Sequence, residues 1–310
     1  MLLPAVVLAL LMLPAPGPTP TVATHDNRLP AGVTRDGTLR LDLEIVRGDW
    51  YPNGADRAGA NVLVFAERGH GPTTPGPLVR ARAGTSIAVS MHNTTDDTLA
   101  IHGLTSKIGL AAFDSVVVLP GASRSWTFIA ETEGSYLYWG ARPGTPLAEQ
   151  LYDDAQLNGA LIVDPATGAI PADRIMVIDS YTDGKLPNGD PDLDRELLVV
   201  NGRPWPDTER LQYAVGDSIR WRVLNASVAP HPMHLHGFYF RVDGRGDWRR
   251  DTLYSDAERR MAVTELLKPG QSMHLTWSPN RPGGWLFHCH LSYHVLPNPP
   301  LGAEFTNGDS

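Results

Sequence analysis

The chain has a single cysteine, Cys289, among its 310 residues. An intrachain disulfide framework is therefore excluded. No run of Lys and Arg occurs. Acidic residues outnumber basic ones, 34 to 26, for a formal net charge of −8, which argues against nucleic acid as a partner. The Asp- and Gly-rich stretch from Ser180 to Asp194 lacks EF-hand spacing and reads as solvated turns rather than a calcium loop. Helix breakers, by contrast, are plentiful. The 30 Gly and 27 Pro are spread along the whole length, which points to an all-β protein with many turns.

The first 24 residues contain MLLPAVVLALLMLPAPGPTPTVA. This apolar stretch, followed by small residues and prolines, has the character of a signal peptide. An N-terminal membrane anchor is the lesser alternative, because Pro4 and Pro14 break the run before it reaches a comfortable span. The expected location is secreted or extracytoplasmic. In that oxidising setting a lone thiol needs protection, and capture as a metal thiolate supplies it.

Strand patterns begin near Thr34. LRLDLEIVRG and TSIAVSMHN alternate apolar with polar residues, the period of a half-buried strand. The Pro/Gly/Ala-rich segment Asp164 to Arg174 reads as a linker between one domain over 34–165 and another over 172–306. The two halves share a pattern. AGTSIAVSMHN (83–93) matches VGDSIRWRVLN (215–225), His102-Gly103 matches His236-Gly237, and Pro120-Gly121 matches Pro269-Gly270. Two copies of one β-sandwich follow. The charged segment Asp243 to Arg260 reads as a solvated loop or short helix.

Of the 11 histidines, the motifs HPMHLHG (231–237) and HCHLSYH (288–294) carry most. On a strand, side chains alternate faces. His288 and His290 then point one way and Cys289 the other. His234 and His236 share a face, while His231, ahead of Pro232, is free to point elsewhere, and His294 lies past the strand end. The economical assembly sets His231, Cys289 and His294 around one metal and clusters His234, His236, His288 and His290 around another. Two imidazoles and one thiolate in a trigonal array form the ligand set of blue copper. Zinc accepts the same donors, but ligands shared between separate strands favour copper.

HPMHLHG and HCHLSYH resemble the third and fourth copper motifs of the multicopper oxidases, a family that includes laccases. PGPLVR, IHGL, GSYLYW and NGALIVD extend the likeness over nearly the whole mature chain. The resemblance implies two cupredoxin-like Greek-key β-sandwich domains. It makes His231, Cys289 and His294 type 1 copper ligands, with His234 serving a type 2 copper and His236, His288 and His290 a type 3 pair. The chain looks most like the two-domain laccases, which form homotrimers with a trinuclear cluster between neighbouring subunits.

Two of the family's motifs are altered. Ala100 stands where the first motif has its leading His, leaving His102 alone, and Trp139 and Ala141 replace both histidines of the second. Neither residue type offers a side-chain ligand of the required kind. Five cluster ligands remain by this reading: His102, His234, His236, His288 and His290. Asp153, Asp154 and Gln156 in LYDDAQL are substitute ligands to be weighed against a solvated loop. His25, His70, His92 and His274 show no partner pattern. The weak axial ligand expected after His294 falls near Pro299 rather than on a Met, the last of which is Met273.

The expected activity is copper-dependent oxidation of a small-molecule or metal-ion reductant, catalysed at Cys289, His231 and His294, with dioxygen as a possible acceptor through an incomplete cluster. The alternatives are a blue-copper electron-transfer or copper-binding protein without oxygen reduction, and an enzyme like the two-domain nitrite reductases. Those carry type 1 copper in the first domain and so fit less well.

Overall fold

A computed structural model describes residues 18–182, 196–291, 294 and 301. Among these residues the chain is built of strands, with two short 3₁₀ turns at Gly109–Phe113 and Leu147–Glu149. Most of the expected signal segment and of the Asp/Gly-rich stretch lies outside the described residues, as does the axial position near Pro299.

The strands form four sheets, paired into two sandwiches. In the first, a seven-stranded sheet centred on Thr38–Trp50 faces a five-stranded sheet containing Asn158–Asp164, Gly134–Ala141 and Leu99–His102. It also takes in Thr21–Thr24, which pairs in parallel with Thr38–Trp50. In the second, a seven-stranded sheet running through Asp173–Thr182, Ile219–Asn225 and Gln271–Trp277 faces three strands, Thr264–Leu267, His231–Leu235 and Phe287–Cys289. Alternation explains the packing. Leu39, Leu41, Leu43 and Ile45 point into the first core while Arg40, Asp42 and Glu44 point out.

The internal repeat occupies equivalent places in the two sandwiches. Thr85–Asn93 pairs in parallel with Thr38–Trp50 and antiparallel with Ser123–Ala130. Ile219–Asn225 likewise pairs in parallel with Asp173–Thr182 and antiparallel with Gln271–Trp277. Each repeat strand ends in a buried Asn that staples the following turn. Asn93 accepts from the Thr95 amide and hydroxyl at 3.0 and 2.7 Å and donates to the Val118 carbonyl at 3.2 Å. Asn225 accepts from the Ser227 amide and hydroxyl at 2.9 and 2.7 Å and donates to the Leu267 carbonyl at 3.0 Å. The glycine after each shared His, Gly103 and Gly237, has φ of +82° and +79°, a region that favours glycine.

The sandwiches meet over an apolar layer in which Leu137, Ala160 and Ile162 pack on Ile175, Val177 and Leu224. Beside it lies a buried ionic network. Arg80 contacts Asp164 at 2.7 Å and Asp173 at 3.1 Å, and Arg222 pairs with Asp173. The segment joining the sandwiches is short, because strands end at Asp164 and resume at Asp173.

Three expectations change. The charged segment 243–260 is neither loop nor helix over its first half: it falls largely in the strands Phe240–Asp247 and Asp251–Leu253, which pair as a hairpin. Asp251 is buried there, accepting from the Ser135 amide at 2.6 Å and contacting His274 Nε2 at 2.5 Å, so it ties the two sandwiches together. The segment 151–157 is not solvated, because Asp154 and Gln156 are buried, and Asp153 is paired with Arg47 and Arg142. The strand expected to carry His288, Cys289 and His290 together spans Phe287–Cys289 and stops short of His290.

Burial of Asp179, also at this interface, pushes its carboxyl up to about 8, against hydrogen bonds from Asn158 and the Ser180 amide. Between the unfolded value of about 4 and 8, the folded chain holds a proton that the unfolded chain releases, so this group's contribution makes stability fall as pH rises through that window. Asp179→Asn should therefore gain on the parent as pH rises from 5 to 8, read as the difference between their urea midpoints. A constant difference would contradict the assignment.

Candidate metal centre

The three-stranded sheet places the histidines. Along His231–Leu235, the side chains of His231, Met233 and Leu235 are buried, while Pro232 and His234 are half-exposed. The register sets Met233 opposite Cys289 and His234 opposite His288. Opposed residues share a face. Cys289 therefore points into the second core beside Met233, and His234 and His288 point outward together.

On the inner side, the ligand atoms of His231, Cys289 and His294 all lie within 4.8 Å of one another. Cys289 Sγ is 3.2 Å from His294 Nδ1, and the two imidazole rings are 4.9 Å apart. Each ring has its other nitrogen engaged. His231 Nε2 is 2.7 Å from Ser227 Oγ, the hydroxyl of the repeat's turn, and His294 Nε2 is 3.2 Å from Glu196 Oε2. Such outer partners fix ring orientation and ligand basicity. Burial, together with the neighbouring His294, lowers the His231 pKa to about 4, so this ring stays neutral and keeps a lone pair. Burial also opposes charge on His294, but its hydrogen bonds with Cys289 and Glu196 prevail and raise it to about 9. The donors fit copper: a thiolate and two imidazoles converge in a mostly buried site, with the carboxylate held back as a hydrogen-bond partner.

Four imidazoles cluster on the outer face. His236 Nε2 and His288 Nε2 are 2.8 Å apart. The His234 ring lies 5.0 Å from His236, 5.6 Å from His288 and 5.1 Å from His290. His234 Nδ1 is engaged by the Val263 carbonyl at 2.7 Å, and His288 Nδ1 by the Cys289 carbonyl at 2.7 Å. Val263 and Leu286, whose backbone carbonyls contact His234 and His236, adjoin this face with exposed side chains.

His102 is not brought to these four rings. It ends the strand Leu99–His102 and sits opposite Trp139, while Ala100 sits opposite Ala141. The altered positions are thus cross-strand neighbours. The His102 ring stacks on Trp139 at 4.0 Å with 11° between planes. Of the remaining sites considered, His25 contacts Asn27, His70 lies beside Glu67, and His92 contacts Ser123. Gln156 accepts from Thr74 and donates to the Ser180 carbonyl.

Two profiles of the multicopper oxidases match the chain, over residues 69–167 and 172–297. The chain belongs to the multicopper oxidase family. Copper is the cofactor of this family, and the fold is its cupredoxin-like sandwich, twice over. Among known proteins the chain is 26% identical over 289 residues to a probable nitrite reductase-hydroxylamine oxidoreductase fusion protein of Kuenenia stuttgartiensis, a match covering 84% of this chain and 31% of that protein. It is 31% identical over 101 residues to the multicopper oxidase MmcO of Mycobacterium tuberculosis, covering 32% of this chain and 18% of that one. These matches span about a third or less of each relative's length. The blue copper oxidase of Nitrosomonas europaea has a similar fold, with a TM-score of 0.68 at 21% identity, covering 84% of this chain and 81% of that one.

Ser227 and Glu196 were not singled out from the sequence. Ser227 had a signal, since it matches Thr95 in the repeat. Glu196 had none, because it approaches His294 across 98 positions of chain. Glu196→Gln removes the charge behind His294 and should weaken copper binding about 10- to 100-fold, measured by competitive titration with a chelator. Unchanged affinity would show that the carboxylate does not support the ligand.

Proposed function

We propose that this chain is a copper-dependent oxidoreductase that takes single electrons from a small-molecule or metal-ion reductant at a centre held by His231, Cys289 and His294. The observation that carries the reading is the convergence of those three donors within 4.8 Å. Copper bound there supplies a one-electron acceptor. His231 and His294 orient its surroundings, each braced from behind by Ser227 or Glu196. Cys289 is bonded in sequence to His288 and His290, so the inward thiolate and the outward imidazoles are joined by a few covalent bonds.

The outer face, His234, His236, His288 and His290, would hold a second metal site smaller than the family's trinuclear cluster. Its exposure and its apolar border support completion by another copy of the chain, which we read as a homotrimer. Export from the cytoplasm, with or without an N-terminal anchor, is part of the same reading. Among the described residues no helix is long and apolar enough to cross a membrane.

One observation favours a second reading, a blue-copper electron carrier without oxygen reduction. His102, the remaining first-motif histidine, is stacked against Trp139 rather than turned toward the other imidazoles. A nitrite-reductase-like activity rests on the name of the K. stuttgartiensis relative. It is disfavoured because the three donors lie in the second sandwich.

Elemental analysis of the copper-loaded protein should find fewer than the family's usual count of about four coppers per chain, with an intense visible band that Cys289→Ser abolishes. Four coppers would overturn the reading of the altered motifs, and the lack of a visible band would overturn the inner centre. Oxygen uptake with a phenolic or metal-ion donor then separates oxidase from carrier. Light scattering should report a mass three times that of the chain.

A further inference from the structure

The altered first and second motifs line a cleft of about 430 Å³ between the two sandwiches, a volume suited to a small molecule. His102, Phe113, Trp139 and Leu147 line it from the first sandwich, and Trp248 and Pro269 from the second. None of its lining residues is Asp, Glu, Lys or Arg. Its walls form an aromatic corner. The stacked His102–Trp139 pair makes one side. Trp248 stands nearly perpendicular to both rings, at 6.0 Å from each with interplanar angles of 80° and 88°. The Arg249 guanidinium lies over both Phe113 and Trp248, at 4.8 and 5.0 Å from their centroids, and steadies these two walls. A flat ring placed here stacks on one wall and meets the other edge-on, the two preferred aromatic arrangements.

The polar groups are equally selective. His102 Nδ1 and Trp139 Nε1 are buried without hydrogen-bond partners among the described residues. Native structures leave few such atoms unpaired, and the unpartnered indole donor of Trp139 in the wall of the cleft points to a partner from outside the chain. His102 Nε2 is the nitrogen left on the open side of this half-buried ring, where it can meet a ligand. Trp139 is 3% exposed, and its indole nitrogen can only donate. The site thus presents flat apolar walls and an unpaired indole donor, and asks for an acceptor.

We propose that this cleft binds a small, flat, uncharged aromatic molecule bearing an acceptor oxygen, with His102 serving that ligand rather than a metal. The proposal does not depend on copper at the inner centre. It assigns a use to Trp139, which stands at one of the altered positions of the second motif.

The test follows the tryptophan indole N–H signals by nitrogen-15 NMR, under anaerobic ascorbate so that any bound copper stays cuprous and diamagnetic. Acetophenone is the probe. Ethylbenzene, flat but without an acceptor, and cyclohexyl methyl ketone, an acceptor without a flat ring, are the controls. Acetophenone should shift, saturably, the signal that Trp139→Phe removes, and each control should bind about 3- to 10-fold more weakly, the value of one hydrogen bond or one aromatic contact. His102→Phe keeps a ring in the stack and should weaken acetophenone by a similar factor while leaving ethylbenzene unchanged. Ala148 is an exposed lining residue, so Ala148→Trp fills the cleft without disturbing the core and should abolish the shift. The proposal fails if millimolar acetophenone gives no saturable shift, if the three probes bind equally, or if the shift survives Ala148→Trp. It also fails if dilution alone moves the Trp139 signal and opens the cleft, which would make a second copy of the chain its occupant.

Discussion

The pairing of His231–Leu235 with Phe287–Cys289 is the constraint on which the site depends. Met233 faces Cys289 and His234 faces His288. A slip of one residue would send the thiol to solvent and the imidazoles into the core, because side chains alternate with period two. The register is held from the inside. Met233, Leu235 and Cys289 belong to the same buried cluster as Trp221, Phe240 and Leu275, so exposing them would cost the burial of several large apolar groups. Core packing and metal geometry therefore specify the same alignment.

Outer support follows from the repeat. Asn93 and Asn225 staple equivalent turns, but only the second turn has been given a further duty. Its Ser227 hydroxyl reaches His231, whereas the matching Thr95 supports Asn93 alone. The turn that Asn225 staples thus also sets a fixed hydroxyl beside an imidazole of the candidate centre. Glu196 supports the other ring from a different sheet, and this makes the centre depend on the packing of one sheet against the other.

In the first sandwich the same strands have gone another way. Ala100 and Ala141 face each other as buried small residues, and Trp139 covers His102. An indole beside an imidazole stabilises a stack. The cleft against Trp248 is the consequence, and its aromatic corner exists only because the second sandwich contributes a wall.

Much of this was legible in the sequence. Period-two alternation and the shared AGTSIAVSMHN and VGDSIRWRVLN patterns determined the strands and the doubled architecture, since burial on one face leaves a direct mark on residue order. The HCH triplet determined that its imidazoles and its thiol would part company, for the same reason. Other features were settled only by tertiary structure. The segment 243–260 looked solvated by its charge, yet it forms a hairpin that buries Asp251 where the sandwiches meet, because Ser135 and His274 arrive there from distant strands. Likewise, the approach of Glu196 to His294 and the capture of His102 by Trp139 and Trp248 arise from sheet packing and cross-strand pairing. Contacts between residues far apart in the chain leave no periodic trace for a reader of sequence to find.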